Sequence, residues 1–173
     1  MTLILKIINK SVYHTYKEES KMYEVKFIDS MEEFLEATQI ILLLKDQMEY
    51  IGSPKTNEEL MATIKLTFKN ENSKLLVISE NSSIIGFAFF NICIGMETSG
   101  KYLWLNEMHI HKHYRGKGYG KILYQEMTQW CQENGIVRIM GISDSTEERT
   151  ENFYRQRGAD IYPRDIISMN IKK

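Results

Sequence analysis

Cysteine and proline are both scarce in this 173-residue sequence, which contains two of each. The two cysteines, Cys93 and Cys131, are too few and too isolated for a disulfide framework, so we expect them to pack as small apolar side chains in a reducing cytoplasm. So few prolines argue against an array of flexible linkers. The chain also lacks an apolar run long enough to span a membrane or to fit a secretory signal.

No sign of charge dominates either, because Lys plus Arg number 22 and Asp plus Glu number 23. A protein that binds nucleic acid usually carries a basic excess, so no nucleic-acid partner is expected. Hydrophobic residues make up 43% and charged residues 26%, which are values of an ordinary globular protein. We therefore expect a cytoplasmic globular protein with neither a nucleic-acid nor a membrane partner.

A polar segment at residues 17–21 divides the chain into two parts of unequal length. Residues 1–21 are interpreted as an N-terminal extension with one strand over Leu3 to Ile8, and residues 22–173 as the main domain. The apolar side chains of the extension would otherwise form an exposed patch. The extension is therefore expected to pack as an added strand or as an oligomer contact, which leaves a homodimer open.

Hydrophobic periodicity in the main domain predicts elements in the order β-α-α-β-β-β-α-β-α-β. The predicted strands are 23–28, 75–78, 84–94, 102–110, 136–142 and 166–171. Four helices are predicted: two start at the capping-box pairs Ser30/Glu33 and Thr56/Glu59, a third ends at Asn134-Gly135, and the last is 147–157. The strand-helix-strand spacing across residues 116–134 predicts that strands 102–110 and 136–142 are parallel neighbours. This order predicts an α/β fold, a single domain with a mixed, twisted central sheet flanked by helices.

The segment at residues 114–121, Tyr-Arg-Gly-Lys-Gly-Tyr-Gly-Lys, carries the clearest chemical signal and lies between a predicted strand and a predicted helix. Its glycines keep side chains away from the backbone, and consecutive amides at a helix N-terminus form a site for phosphate. Lys117 and Lys121 add positive charge nearby. The spacing fits neither the dinucleotide fingerprint G-x-G-x-x-G nor the P-loop, which disfavours a nucleotide-binding regulatory domain.

The run Arg115-Gly116-Lys117-Gly118-Tyr119-Gly120 matches the signature [RQ]-x-x-G-x-[GA] and resembles the GNAT superfamily of N-acetyltransferases. The element order over residues 22–171 is similar to theirs, and residues 152–158, Asn-Phe-Tyr-Arg-Gln-Arg-Gly, resemble their N-F-Y-x-x-x-G stretch. The resemblance implies a GNAT-like fold, acetyl-CoA as donor, and a primary amine of a small molecule or peptide as acceptor. It also implies direct transfer without an acyl-enzyme.

The resemblance further implies where the coenzyme lies. Its pyrophosphate would contact the backbone amides of the glycine-rich segment, and its pantetheine arm would pair with the strand before it. The residues assigned to the coenzyme are Met108, His109, Ile110, Arg115, Gly116, Lys117, Gly118, Tyr119, Gly120 and Lys121. Three positions depart from the family pattern: Glu147 and Ala159 replace a common asparagine and a common aromatic residue, and Lys112 replaces a common proline.

Two residues are candidate catalytic groups. Tyr154 occupies the position where many GNAT proteins place a tyrosine beside the coenzyme sulfur, so its phenol would give a proton to the departing thiolate. The alternative is an aromatic side chain packed beside Phe153. Glu107, a carboxylate within a β-rich strand, is the candidate base that takes a proton from the incoming ammonium. The alternative is a structural ion pair.

Three histidines precede the glycine-rich segment at alternate positions, His109, His111 and His113. Three histidines on one face of a continuous strand could bind zinc, but the carboxylate or thiolate ligand expected beside them is missing. The strand is also expected to end before the third histidine, so no metal site is predicted. His109 or His111 is kept as an alternative base. The alternative function is a non-catalytic acyl-CoA sensor of the same fold, which the presence of Glu107 together with Tyr154 disfavours.

Overall fold

The computed structural model describes residues 2–8, 11–18, 21–143, 148–163, 166, 168 and 169. The chain divides into two compact units, residues 1–141 and residues 142–173. Within the described residues, no helix is both long enough and apolar enough to cross a membrane.

The first unit is built on a mixed β-sheet. In chain order its elements are β1 (Thr2–Ile8), β2 (Ser11–Glu18), β3 (Lys21–Ile28), α1 (Met31–Glu36), α2 (Gln39–Tyr50), α3 (Asn57–Thr67), β4 (Ser73–Glu80), β5 (Ser83–Gly95), β6 (Gly100–Ile110), a 3-10 turn (Lys112–Tyr114), α4 (Tyr119–Glu133) and β7 (Ile136–Gly141). The seven strands lie in sequence order in one sheet. Neighbours are antiparallel except for the parallel pair β6 and β7. The predicted α/β fold with a mixed sheet is confirmed, and so is the parallel pair.

The N-terminal residues form two strands where the sequence predicted one. β1 covers the predicted strand from Leu3 to Ile8, and β2 pairs with both β1 and β3. The strands β1 to β4 are therefore antiparallel neighbours, with the three helices between β3 and β4 in the chain. Where β2 ends and β3 begins, Glu18 of β2 pairs with Lys21 of β3. The signal for β2 was its content of β-branched and aromatic residues, which favour strands.

The two capping boxes form to different extents. Thr56 and Glu59 make both reciprocal bonds, with the Glu59 carboxylate accepting from the Thr56 amide at 2.8 Å and the Thr56 hydroxyl accepting from the Glu59 amide at 3.2 Å. The Ser30 hydroxyl accepts from the Glu33 amide at 3.1 Å, but the Glu33 carboxylate accepts from the Asp29 amide instead. Both helices therefore start where the sequence predicted.

The helix that starts after Ser30 is shorter than predicted, because the backbone leaves the helical conformation at Ala37 (φ −87°, ψ 52°). The Ile40 amide donates to the Ala37 carbonyl at 2.9 Å and a new helix, α2, begins. The break lets α2 bury its own apolar stripe, Ile40, Leu43 and Leu44, in a core with β4 and β5 residues such as Phe87. Gln47 lies on the same buried side of α2.

The second unit contains α5 (Glu148–Arg155), close to the predicted helix 147–157. Glu147 lies outside the described residues. So does half of the predicted closing strand at 166–171; its described residues, Ile166, Ser168 and Met169, are not in a strand.

Candidate active site

A β-bulge at Asn106 determines which way the candidate base points. Phe90 of β5 pairs with Leu105, whereas the preceding residue, Phe89, pairs with Glu107, so Asn106 is an extra residue in β6. Phe90 packs against Trp130 of α4, with ring centroids 5.6 Å apart. Cross-strand partners share a face, so Leu105 faces α4, and the extra residue turns Glu107 to the opposite face, towards α2.

The bulge coincides with the point where β6 and β7 stop pairing. Their parallel register ends at Leu105 and Gly141, and β6 then continues over residues 106–110. A side chain added at Gly141 would lie 3.1 Å from the Leu105 carbonyl oxygen, so the strands are close at this point. Among the described residues, no strand pairs with the β7 side of residues 106–110, which leaves backbone groups there for a ligand to bind.

Backbone alternation identifies which of these groups face the gap. The His111 amide donates to the Ile85 carbonyl at 2.9 Å, which directs His111 towards β5. Along a strand of an antiparallel pair, the N–H and C=O groups of successive residues point alternately towards the partner strand and away from it. The backbone groups of His109 therefore also face β5, and those of Met108 and Ile110 face the opposite side. The predicted pairing with a pantetheine arm thus has geometric support at Met108 and at the Ile110 amide, since the Ile110 carbonyl already accepts from Nε of Arg115. At His109 it stays a prediction without such support.

The Glu107 carboxylate lies half-buried under α2. Its Oε2 atom accepts a hydrogen bond from Nε2 of Gln47 at 3.0 Å, and among the described residues its Oε1 atom has no partner. Burial raises the pKa of Glu107 above the usual 4.5, while the Gln47 hydrogen bond opposes the rise. A carboxylate with a raised pKa and one open oxygen suits a general base. Within the described part of the chain, no cation lies in salt-bridge contact with Glu107, which argues against the structural ion pair.

His109 is buried beside the same carboxylate, with 3% of its surface exposed. Its Nδ1 atom lies 2.7 Å from Oε1 of Gln47, and its Nε2 atom lies 3.0 Å from Oδ2 of Asp46. Burial lowers the pKa of His109, with positive charge on Arg115 adding to the effect and the Asp46 carboxylate opposing it. This enclosure removes His109 from direct contact with solvent.

The other two histidines lie apart from this enclosure. The rings of His111 and His113 are 5.0 Å apart, and the His113 amide is 3.4 Å from Nδ1 of His111. The strand ends at Ile110, as the sequence predicted, so the three histidines do not share one face. Within the part of the chain that the structure describes, no group of three ligating side chains could hold a metal ion.

The glycine-rich segment forms an open turn at the start of α4. Gly116 and Gly118 have φ values of +77° and +88°, a conformation that side chains disfavour. A Cβ atom added at either residue would meet nothing within 4 Å, so the space beside the backbone is open. Gly118 is the N-cap of α4 and offers no side-chain cap, which leaves the first amides of the helix for an external acceptor.

Basic side chains flank this turn in different ways. Arg115 is folded inward, with Nε donating to the Ile110 carbonyl at 2.8 Å and its guanidinium 5.1 Å from the ring centroid of Tyr50 in α2. The Lys117 ammonium lies 5.0 Å from the ring centroid of Tyr114. Lys121 is exposed in the first turn of α4. Two lysines are therefore near the open turn, while Arg115 links the end of β6 to α2.

Tyr119 contributes to the turn only through its backbone. Its side chain is 4% exposed and its hydroxyl donates to the Glu80 carboxylate. Its ring lies edge-on to Tyr23 and Tyr114, with centroids 6.4 and 6.2 Å away. The assignment of Tyr119 to the coenzyme therefore concerns its amide. Its side chain anchors α4 to the sheet.

Tyr154 belongs to the second unit and lies on α5. Its ring is half-buried and edge-on to Phe153, with centroids 5.1 Å apart. The Phe153 ring is also covered by the guanidinium of Arg157, 3.6 Å from its centroid. These contacts fit the packed aromatic pair, and the role of Tyr154 towards a thiolate stays a prediction.

Sequence reasoning missed the two α2 residues that complete the site, Asp46 and Gln47. A buried Gln in an otherwise apolar helix face was the available signal, because a buried amide needs partners. Sequence alone could not name those partners, which lie about sixty positions away on β6. A depression of about 450 Å³ lies on another side of α2, lined by Lys45, Glu49 and residues 54–58. None of the predicted site residues lines it.

The chain belongs to the acetyltransferase (GNAT) family, whose sequence pattern matches residues 15–159. No curated protein sequence matches the chain significantly.

Solved structures with a similar fold come from proteins of several kinds. They include an aminoglycoside acetyltransferase from an uncultured soil metagenomic sample (13% identity, TM-score 0.70, covering 87% of this chain and 97% of that one). A ribosomal-protein-alanine N-acetyltransferase from Brucella melitensis biovar Abortus 2308 is 16% identical (TM-score 0.67, 87% and 99% covered). A transcriptional regulator from Bacillus halodurans C-125 is 18% identical (TM-score 0.71, 85% and 99% covered). At these identities the likeness shows the fold alone.

Proposed function

We propose that this chain is an N-acetyltransferase that transfers an acetyl group from acetyl-CoA directly to a primary amine. The observation that supports the proposal most strongly is the position of Glu107. The bulge places this carboxylate where β6 and β7 stop pairing, with one open oxygen and a raised pKa. A base at such a gap can meet an amine and a coenzyme arm that enter together.

The residues at the gap fit acetyl-CoA. Gly116 and Gly118 leave open space beside backbone amides at a helix N-terminus, which suits a pyrophosphate. Lys117 and Lys121 would balance its charge. Backbone groups of Met108 and the Ile110 amide would hydrogen-bond the amides of the pantetheine arm. The chemistry that acetyl-CoA supplies when bound is an activated acetyl thioester.

The protein residues then handle two protons. An amine at neutral pH is mostly protonated, and Glu107 removes that proton so that the nitrogen can bond to the acetyl carbon. As the carbon–sulfur bond breaks, Tyr154 gives a proton to the thiolate; this second role rests on the family motif. No acyl-enzyme is required, because neither cysteine lies in the glycine-rich segment.

The acceptor that we propose is a primary amine of a small molecule or a peptide. The near-neutral charge balance supports neither a nucleic-acid nor a membrane partner, and a homodimer stays open. We assign the reaction to the cytoplasm, where the free thiols of Cys93 and Cys131 would stay reduced.

The first experiment is a panel of amines assayed for release of the coenzyme A thiol. Polyamines, aminoglycosides, amino acids and peptides with free N-termini are each incubated with acetyl-CoA and the protein. At least one class is expected to release thiol faster than the control without amine. Binding of acetyl-CoA with no release for any amine would instead favour the acyl-CoA sensor.

The second experiment replaces the base. Glu107→Gln keeps the shape of the side chain and is expected to lower turnover by about a hundredfold or more, with a smaller loss at higher pH where free amine accumulates. Glu71→Gln is the matched control, because Glu71 is an exposed carboxylate in the turn before β4. Near-parental turnover with a lowered Tm in Glu107→Gln would make Glu107 a structural residue.

A further inference from the structure

Four polar side chains form one continuous chain of hydrogen bonds between α2 and β6. In order they are Glu107, Gln47, His109 and Asp46, joined by contacts of 3.0, 2.7 and 3.0 Å. Gln47 is 8% exposed and His109 3%, so neither can exchange its partner for water. Asp46 is the wet end, because 38% of its side chain is exposed.

The contacts of the two middle residues, Gln47 and His109, depend on where the protons lie. The Gln47 amide has a nitrogen that donates and an oxygen that accepts, so it presents a donor to one neighbour and an acceptor to the other. In the observed orientation its amide nitrogen donates to the Glu107 carboxylate, so its oxygen must accept from Nδ1 of His109. The Asp46 carboxylate in turn requires a proton on Nε2 of His109. All three contacts are satisfied together when His109 is an imidazolium and Glu107 is ionised, which we call the charged arrangement.

A second arrangement satisfies the same contacts with the same number of protons. If the Gln47 amide is rotated by half a turn, its oxygen accepts from a protonated Glu107 and its nitrogen donates to Nδ1 of a neutral His109. Nε2 of His109 still donates to Asp46. This neutral arrangement differs from the charged one only in the location of one proton and the direction of one amide.

Removing that proton leaves a contact that cannot be satisfied. With Glu107 ionised and His109 neutral, either Nδ1 faces the Gln47 oxygen as a lone pair or Nε2 faces the Asp46 carboxylate as a lone pair. The first case places two acceptors against each other in a buried site, and the second leaves the buried Nε2 atom without a donor beside the partly exposed Asp46 carboxylate, so both are costly. With Asp46 ionised, the network therefore retains one proton, located on Glu107 or on His109.

We propose that Glu107 and His109 share one proton across Gln47, whose side-chain amide makes the protonation of each residue depend on that of the other. Gln47 is a positioning residue, and Asp46 favours the charged arrangement by stabilising the imidazolium. Burial raises the pKa of Glu107 and lowers that of His109, which brings the two affinities for a proton closer together.

Among the described residues, Arg115 and His111 are the other side chains whose charge affects the pKa of His109. Positive charge on Arg115 and on His111 lowers the pKa of His109 and so opposes Asp46. On β5 the cross-strand partners of His109 and Glu107 are Phe87 and Phe89, which carry no charge. The balance between the two arrangements therefore depends on the burial of both residues, with Asp46 favouring the charged arrangement and Arg115 and His111 opposing it.

The consequence for the proposed enzyme is that only the charged arrangement offers Glu107 as a base. Asp46→Asn is expected to favour the neutral arrangement and to move the acidic limb of kcat/KM to higher pH by about one unit, with the rate at high pH retained. This kinetic part rests on the proposed function. A displaced limb supports the proposal, and an unmoved limb in a folded variant contradicts it.

The direct test needs neither acetyl-CoA nor turnover, so it stands even if no amine is acetylated. The ring nitrogens of ¹⁵N-histidine protein are followed by NMR from about pH 5 to pH 9, with His109 assigned through His109→Gln. Glu107→Gln is expected to displace the His109 titration by about one pKa unit. In a Gln47→Met background the same substitution should displace it by less than half of that amount.

Ordinary attraction between two charges predicts a different result, because it does not pass through the amide. A displacement in the Gln47→Met background of half or more of the parental value, or no displacement in the parent, would overturn the proposal. Gln47→Asn, one methylene too short to reach both partners, replaces Gln47→Met if the latter does not fold. The parent alone also decides: a neutral His109 protonated on Nδ1 and bare on Nε2 contradicts the network.

Discussion

Gly118 allows the proposed binding of phosphate at the glycine-rich turn to be tested by one substitution, Gly118→Glu, because the cost in backbone strain and the effect of filling the open space can be estimated separately. A non-glycine residue at φ +88° costs roughly 1–2 kcal/mol. A domain of this size loses about 2–4 °C of Tm per kcal/mol. A Cβ atom at this position meets nothing within 4 Å, so no clash adds to the cost and the variant is expected to fold.

The effect on ligand binding is expected to be larger than the effect on the fold. Acetyl-CoA at about a hundredfold its Kd stabilises a native protein by about 2.7 kcal/mol, which corresponds to a Tm increase of roughly 5–10 °C. The added carboxylate would occupy the space beside the first amides of α4 and repel a pyrophosphate. Thermal unfolding with and without acetyl-CoA should therefore show the increase in the parent and none in Gly118→Glu.

The opposite end of the same helix provides the control. Gly135 follows α4, has φ +67°, and likewise has nothing within 4 Å of an added Cβ atom. Gly135→Glu introduces the same charge and a similar backbone cost, and it should keep the full increase in Tm. A parental increase in Gly118→Glu, or its loss in both variants, would refute the assignment of the turn to phosphate.

Four further predictions concern other parts of the chain. Tyr154→Phe should lower turnover while leaving the acetyl-CoA-induced increase in Tm near the parental value, since only a hydroxyl is lost; parental turnover would contradict its role. Burial raises the pKa of the Cys131 thiol to about 11, so a thiol reagent should label folded protein once, at Cys93, and two labels would contradict this. The free energy of unfolding should also fall as pH rises from about 9 towards 11, because the unfolded chain loses that proton first. Deleting residues 1–21 removes β1 and β2 and bares the edge of β3, so a lower Tm and self-association are expected; unchanged stability and mass in solution would contradict that.

Features fixed by neighbouring residues were predictable from the sequence. The Thr56/Glu59 capping box, the β4–β5 hairpin around residues 81–82 and the helix end at Gly135 all form as predicted, because each depends on side chains within a few positions. The parallel β6–β7 pair was also predictable, since a strand, a helix and a strand at this spacing have few alternatives.

Features that depend on distant contacts were not predictable. The break at Ala37 divides a continuous apolar pattern, and only the core beneath α2 shows why the second helix begins again. The candidate site shows the same limit. Glu107 was identified as an isolated carboxylate in a strand, whereas its link to Gln47 joins residues sixty positions apart. No local pattern could specify that partner.

The bulge at Asn106 means that the location of the candidate base depends on residue count as well as residue type. Strict alternation along β6 would put Glu107 on the same face as Leu105, among the apolar side chains beneath α4. Because Asn106 is an extra residue, each residue from Glu107 to Ile110 lies on the face opposite to the one that strict alternation from Leu105 would give it. The pairing with β5 continues on both sides of the bulge. Without Asn106, Leu105 and Glu107 would be consecutive residues paired with Phe90 and Phe89, so the bulge is what lets a residue two positions after Leu105 lie on the opposite face. A register without the bulge would instead pair Glu107 with Ala88 and leave its carboxylate on the apolar face, so the candidate base depends on where β6 carries its extra residue.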